Sequence, residues 1–194
     1  MKEPLPLAKV QEAVLEFLRN RDDAALFGAQ AVNAYVDEPR MSQDVDILST
    51  RAAELAEELR THLATTFHIA VRVRSVARDK GFRIYQLRQP KNRHLADVRQ
   101  VDALPPTQPI ADVRVPLPEE LIAQKVMSLS GRRGQPKADT DRRDLKMLLL
   151  AFPHLKTSSS SVLDRLNAAR ADERAIAEWE ELVATQIVPE DEEW

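Results

Sequence analysis

The stretch Arg40-Met41-Ser42-Gln43-Asp44-Val45-Asp46-Ile47-Leu48 decides how this chain is read. Val45, Ile47 and Leu48 predict a buried strand, and strand side chains alternate between faces. Asp44 and Asp46 therefore project from one face, while Val45 and Ile47 enter the core from the other. Two neighbouring carboxylates repel each other and raise one pKa unless a cation joins them. A hard divalent ion, Mg2+ or Mn2+, suits such a pair because it takes oxygen ligands. Asp97 sits in a later apolar frame, with Leu95 and Ala96 before it and Val98 after it. It is the candidate third carboxylate, and three carboxylates can hold two metals a few ångströms apart. The competing reading makes Asp97 a strand-edge residue paired with Arg93 or Arg99.

Composition narrows the chemistry. Glycine is scarce: four in 194 residues, at Gly28, Gly81, Gly131 and Gly134, against an average usage of about 7%. These positions exclude a Walker A loop and a Rossmann fingerprint, both of which need closely spaced glycines ahead of a helix. The chain has no cysteine. That excludes disulfides, thiol catalysis and cysteine-ligated metal centres, and leaves oxygen as the expected metal donor. Hydrophobic residues make up 43% and charged residues 30%, enough apolar content for a folded core. No apolar run reaches membrane-spanning length, and Met1-Lys2-Glu3-Pro4 lacks a signal peptide's apolar region. The expected location is the cytoplasm, with no membrane partner.

The net charge of −3 hides an uneven distribution. From Val71 to Arg99 there are nine Lys/Arg against two Asp, a local +7. From Ala171 to Trp194 there are nine Asp/Glu against one Arg, a local −8. A basic stretch attracts polyanions through its field, although Arg-rich strand faces are also ordinary solvated surface.

Periodicity predicts an α+β chain. Helices are expected over Leu7–Arg19 and Ala29–Tyr35, and over Thr50–Thr66 with Thr50 as N-cap. Strands are expected at Val45–Leu48, Ile69–Val76, Gly81–Leu87 and His94–Val101, the last with Leu95 and Asp97 on one face and Ala96 and Val98 on the other. The prolines of Leu104–Pro109 predict a break, followed by a short strand at Val113–Val115. Helices then follow at roughly 119–130, 139–151, 158–170 and 172–184, with Pro118 in a first turn and Asp139 a candidate N-cap. The division expected is an α/β core over 1–116 and a helical module over 117–194 that completes the active-site cleft. Trp179 reads as a packing residue and Trp194 as tail, and His94 reads as structural.

The sequence carries a resemblance. Gly28-Ala29, a helix, then Arg-x-Ser-x-Asp-Val-Asp-Ile resembles the DNA polymerase β-like nucleotidyltransferase superfamily. It is most similar to the AbiEii/AbiGii-type toxin nucleotidyltransferases, whose pattern is a Gly-Gly or Gly-Ser turn and then Arg-x-Thr/Ser-x-Asp-Ile-Asp. The later segments Leu121-Ile122-Ala123-Gln124-Lys125-Val126-Met127 and Lys137–Leu145 are similar to that family's lysine helix and its charged final motif. The likeness covers about Phe27 to Leu150.

The resemblance implies a mixed β-sheet flanked by helices, followed by a helical module. It implies an enzyme that moves a nucleoside monophosphate from an NTP to an acceptor hydroxyl and releases pyrophosphate. The implied cofactor is Mg2+ or Mn2+ on Asp44, Asp46 and Asp97, with Asp97 as general base. Gly28 and Ala29 would admit the nucleotide phosphates to the backbone, although Ala29 lacks the hydroxyl that serine would bring. Arg40 and Ser42 would assist in nucleotide binding. Lys125 would neutralise the triphosphate, and Asp141 or Asp144, three apart on one helix face, would be the acid of the last motif. Implied partners are RNA, with a tRNA 3′ end as one candidate acceptor, and a separately encoded antitoxin. A small-molecule or protein acceptor, or an inactive nucleotide-binding module, are the alternatives.

Overall fold

Alternating and apolar runs assemble into a five-stranded mixed sheet. The computed structural model describes residues 5–189. The chain divides into two compact units, one holding the residues up to Ala34 together with Arg40–Pro116, the other Tyr35–Pro39 and the residues from Leu117 on.

The strands of the first unit are β1 (Ala24–Phe27), β2 (Val45–Ser49), β3 (Val71–Val76), β4 (Gly81–Gln86) and β5 (Arg93–Gln100), in the order β1-β2-β5-β4-β3. Only β2 and β5 pair in parallel. A parallel pair needs a long crossover, and here it contains α3 (Ala52–Phe67), β3 and β4. Helix α3 packs against β3, β4 and β5. Its stripe Leu55, Ala56, Leu59 and Leu63 is wholly buried, spaced at the helical repeat. Each buried leucine is worth about 2 kcal/mol relative to exposure. Val45, Ile47, Ile84, Ala96 and Val98 supply the buried side of the sheet. Helix α1 (Leu7–Leu18) buries Val10, Val14 and Leu18, and the short α2 (Gly28–Asn33) follows β1 directly.

Two expectations are corrected here. Helix α3 begins at Ala52 with Arg51 at the cap position, so Thr50 is not its N-cap. The cap comes from a distance instead: Gln100 Oε1, at the end of β5, accepts from Ala52 N at 2.9 Å, and Gln100 Nε2 donates to Thr50 O at 2.9 Å. The Leu104–Pro109 break also contains part of a strand. β6 (Thr107–Ile110) pairs with β7 (Val113–Pro116) as a separate two-stranded sheet. Pro109 is tolerated because it lies in a ribbon with no third strand to serve.

The second unit contains α4 (Pro118–Gly131), α5 (Pro136–Ala151), α6 (Ser161–Ala168) and α7 (Glu173–Ala184). Helix α4 packs against the other three. Pro118 and the acids Glu119 and Glu120 open α4 as its dipole favours. Helix α5 starts at Pro136, so Asp139 lies in its first turn and is not its cap. Asp172 caps α7 by accepting from Ala175 N at 2.9 Å. Trp179 is 1% exposed and forms part of the core; Trp194 lies outside the described residues.

This unit buries charge. Lys125 Nζ lies 3.1 Å from Asp141 Oδ1 and 2.7 Å from Asp144 Oδ2, and Arg132 Nη1 lies 2.7 Å from Asp141 Oδ2. Two cations balance two carboxylates, and Asp144 is fully buried. Removing one member of such a set leaves an uncompensated buried charge. Lys125→Met is therefore expected to lower unfolding free energy by about 3 kcal/mol, read by urea titration. A loss below about 1 kcal/mol would show that the carboxylates do not depend on this lysine.

Candidate active site

Strand register brings the sequence-predicted carboxylates together. The parallel pairing of β2 and β5 sets Asp46 directly beside Asp97, and register partners share a face. Asp44 lies one residue before β2 begins. Continuing across the sheet, Asp97 pairs with Arg83 and Arg83 with Arg74; on the other side Asp46 pairs with Phe27. One row thus runs Arg74, Arg83, Asp97, Asp46, Phe27. Arg83 Nε is 3.4 Å from Asp97 Oδ1. The pairing of Asp97 with Arg93 or Arg99 does not occur: Arg93 Nη1 donates to Leu5 O at 2.6 Å, and the Arg99 guanidinium lies 4.9 Å from the Phe27 ring centroid.

The sequence reading missed His94 as a site residue. Strict alternation places His94 and Asp97, three apart, on opposite faces. The structure breaks that alternation. Ile84 pairs with Ala96 but Tyr85 pairs with His94, so Leu95 is an extra residue in β5. Such a bulge re-aims the side chains on one side of it, and here it turns His94 to the face of Asp97. Its Nε2 lies 3.0 Å from Asp97 Oδ1 and its Nδ1 3.0 Å from Asp44 Oδ2. The imidazole pKa is raised from 6.5 to about 10, chiefly by the hydrogen bond to Asp44 and then by that to Asp97, against partial burial. The charged ring thus stands between the two carboxylates as a counter-ion. The polar spacing Arg93-His94-Leu95-Ala96-Asp97 gave no warning of the bulge.

Gly28 begins α2 with φ +62°, a backbone conformation that favours glycine. A Cβ built there would overlap Asp46 Oδ2 and lie 2.9 Å from its Cγ. The missing side chain is thus the space the Asp46 carboxylate occupies. Ala29 is buried beside it. Asn33 clamps the incoming loop, its Nδ2 donating to Arg40 O at 2.8 Å and its Oδ1 accepting from Arg40 N at 3.0 Å. Ser42 Oγ donates to Asp44 O at 2.9 Å, and Gln11 Nε2 donates to Ser42 O at 2.7 Å. Arg40 and Ser42 therefore shape the approach to Asp44. In the second unit, Lys125, Asp141 and Asp144 form the buried cluster described above. The lysine spends two of its three N–H donors on the two aspartates.

One oxygen each from Asp44 and Asp97 and one nitrogen of His94 lie within 4.8 Å of one another. That donor set fits a divalent cation, with the Asp46 carboxylate on the neighbouring strand. While both ring nitrogens donate to the carboxylates the imidazolium has no lone pair to offer, so a cation held by Asp44 and Asp97 would compete with the charged ring for them.

Two outcomes follow from this geometry. A raised histidine pKa gives stability that is complete below about 6.5 and lost as pH rises through about 10. In chelator-treated protein, the melting-temperature gap between wild type and His94→Gln is expected to be largest near pH 6.5 and to close toward pH 10; a gap independent of pH refutes the charged bridge. Gly28→Ala is expected to cost about 1–3 kcal/mol through its positive φ and to displace Asp46. Its stability matching wild type in urea titration would refute the close approach.

No protein-family model and no curated protein sequence matches the chain. Solved structures do. The Megavirus polyadenylate synthase superposes with a TM-score of 0.61 at 15% identity, over 76% of this chain and 32% of its own, so this chain spans about a third of that protein. A candidate nucleotidyltransferase from H. pylori gives 0.57 at 14% identity, over 91% of both chains. The antibiotic-resistance factor ANT(2″)-Ia gives 0.52 at 15% identity, over 90% of this chain and 94% of its own. With a five-stranded mixed sheet, flanking helices and a helical C-terminal part, this chain has the nucleotidyltransferase fold.

Proposed function

We propose that this protein is a metal-dependent nucleotidyltransferase of the AbiEii/AbiGii toxin type, which moves a nucleoside monophosphate from an NTP to a hydroxyl of RNA. The observation that carries the reading is the in-register pair Asp46 and Asp97 on adjacent parallel strands, with Asp44 and His94 grouped at Asp97.

In this reading the acceptor oxygen attacks the α-phosphorus. A new P–O bond forms as the bond to the bridging oxygen of the β-phosphate breaks, and pyrophosphate leaves with that electron pair. Asp97 takes the hydroxyl proton. Asp44, Asp46 and Asp97 would hold Mg2+ or Mn2+, which supplies charge neutralisation at the phosphate oxygens and acidifies the attacking hydroxyl. Gly28 leaves room for the Asp46 carboxylate, and Arg40 and Ser42 hold the loop that presents Asp44. Positioning and charge carry such reactions, since the phosphoryl group itself needs little covalent help. A separately encoded antitoxin partner and a cytoplasmic site of action complete the proposal. Among the described residues no helix is long and apolar enough to cross a membrane.

The test is incubation with each α-labelled NTP, Mg2+ and total RNA. Labelled RNA is expected with at least one NTP, and Asp44→Ala is expected to slow labelling by about a thousandfold, the scale of removing a metal-held transition-state interaction. Absence of product with every NTP, or labelling unchanged by Asp44→Ala, overturns the enzyme. Label on protein instead of RNA overturns the acceptor. Induced expression is expected to arrest growth, and Asp44→Ala to relieve the arrest; growth unaffected by the wild type overturns the toxin role.

A further inference from the structure

The sheet face that carries the site also carries a graded row of charge. Across the strands it reads Arg74, Arg83, Asp97, Asp46; one pair along the strands it reads Arg72, Tyr85, His94. Cations lie at the outer edge and carboxylates near the centre. β3 ends the sheet, and Arg72 and Arg74 are exposed on it. Among the described residues neither side chain has an ion-pair partner. Arg83, with its side chain 49% exposed, links this edge to Asp97. Arg72 and Arg74 are two residues apart on one strand, hence about 7 Å apart along it, close to the separation of successive phosphates in an extended nucleic-acid strand.

Tyr85 adds a second feature. It is the register partner of Arg72, and its ring centroid is 5.0 Å from that of His94. Guanidiniums that follow a backbone, beside an aromatic face on which a base can stack, are the means by which proteins hold single strands without reading sequence. An anionic membrane would meet the arginines but would gain nothing from the tyrosine.

We infer that the Arg72–Arg74 edge with Tyr85 is the docking surface for a single-stranded nucleic acid whose end is led along the row to Asp97. The inference rests on the function proposed above for its direction, since it is there that Asp97 receives the acceptor hydroxyl. Phosphates engage Arg72 and Arg74, a base covers Tyr85, and Arg83 stands at the step between the docking edge and the reacting end.

The experiment measures anisotropy of a fluorescently labelled 12-nucleotide single-stranded RNA on the full chain over a series of salt concentrations, without nucleotide. NTP affinity is measured separately with Mg2+. The wild type is expected to bind the RNA, with log affinity falling linearly with log salt. Arg72→Gln/Arg74→Gln is expected to weaken binding about tenfold at about 0.1 M salt and to reduce that slope by about 1.4, roughly 0.7 for each phosphate no longer neutralised. Arg72→Lys/Arg74→Lys should keep the slope, Tyr85→Leu should weaken binding without changing it, and Lys9→Gln/Arg60→Gln, which removes the same charge from the helices, should leave binding intact. NTP affinity should be unchanged in the Gln double variant. The inference is overturned if the wild type does not bind RNA, if the double variant binds with unaltered slope, or if it loses NTP affinity instead, which would assign the arginines to the triphosphate. The two readings fail separately: RNA binding that depends on Arg72 and Arg74 supports the surface even where no NTP is turned over, and transfer that needs Asp44 but binds RNA without these arginines overturns the surface alone.

Discussion

Asp46 and Asp97 face each other across the one parallel strand pair in the five-stranded sheet, and the rest of the first unit answers that juxtaposition. Side by side on a half-buried face, two carboxylates repel unless positive charge is brought to them. Arg83 and His94 bring it to Asp97. Arg83 comes from the neighbouring antiparallel strand, and His94 reaches back from the start of β5 to join Asp97 to Asp44. Gly28 makes room on the third side, since any larger residue would displace the Asp46 carboxylate. The parallel pairing itself requires the long crossover through α3, so the helix that brings its leucine stripe to the core is also part of the link that sets the acids side by side.

The sheet divides its labour by face. Val45, Ile47, Ile84, Ala96 and Val98 form the buried side, to which α3 contributes its leucine stripe. The opposite side keeps its charged residues accessible to solvent. Because the two sets alternate along the same strands, positions on the polar face can change without touching the packing. The second unit solves a different problem, burying Lys125, Asp141 and Asp144 on two helices with the partly exposed Arg132, just past α4, balancing the second carboxylate.

What was legible in the sequence is what depends on local pattern. The Asp44–Asp46 spacing, the apolar frame of Asp97, the stripe of α3 and the proline start of α4 all stand in the chain as short regular signals. His94 was not legible, because its position depends on a one-residue slip against β4 that no local pattern of β5 announces. The cap of α3 was missed for a similar reason: Gln100 is 48 residues away from Ala52 in sequence and meets it only through the fold. Pro109 reads as a breaker on local grounds, yet a two-stranded ribbon leaves it a place in a strand. Likewise the ladder of Arg74, Arg83, Asp97 and Asp46 exists only across four strands, where a linear count shows merely a basic stretch.

The extra residue Leu95 has a consequence for how such a chain can vary. Along a strand, gaining or losing one residue normally exchanges inside for outside over everything that follows. Here the exchange is already present once, between His94 and Asp97, and the imidazole reaches both carboxylates because of it. Pairing this stretch without the bulge would return the ring to the apolar side even with every polar residue retained, whereas losing one residue between the two positions would leave them two apart and keep the ring on the carboxylate face. Over this short interval the pairing of the chain carries as much of the chemistry as its spelling, and two sequences that agree at every acidic position can still differ in what surrounds those acids.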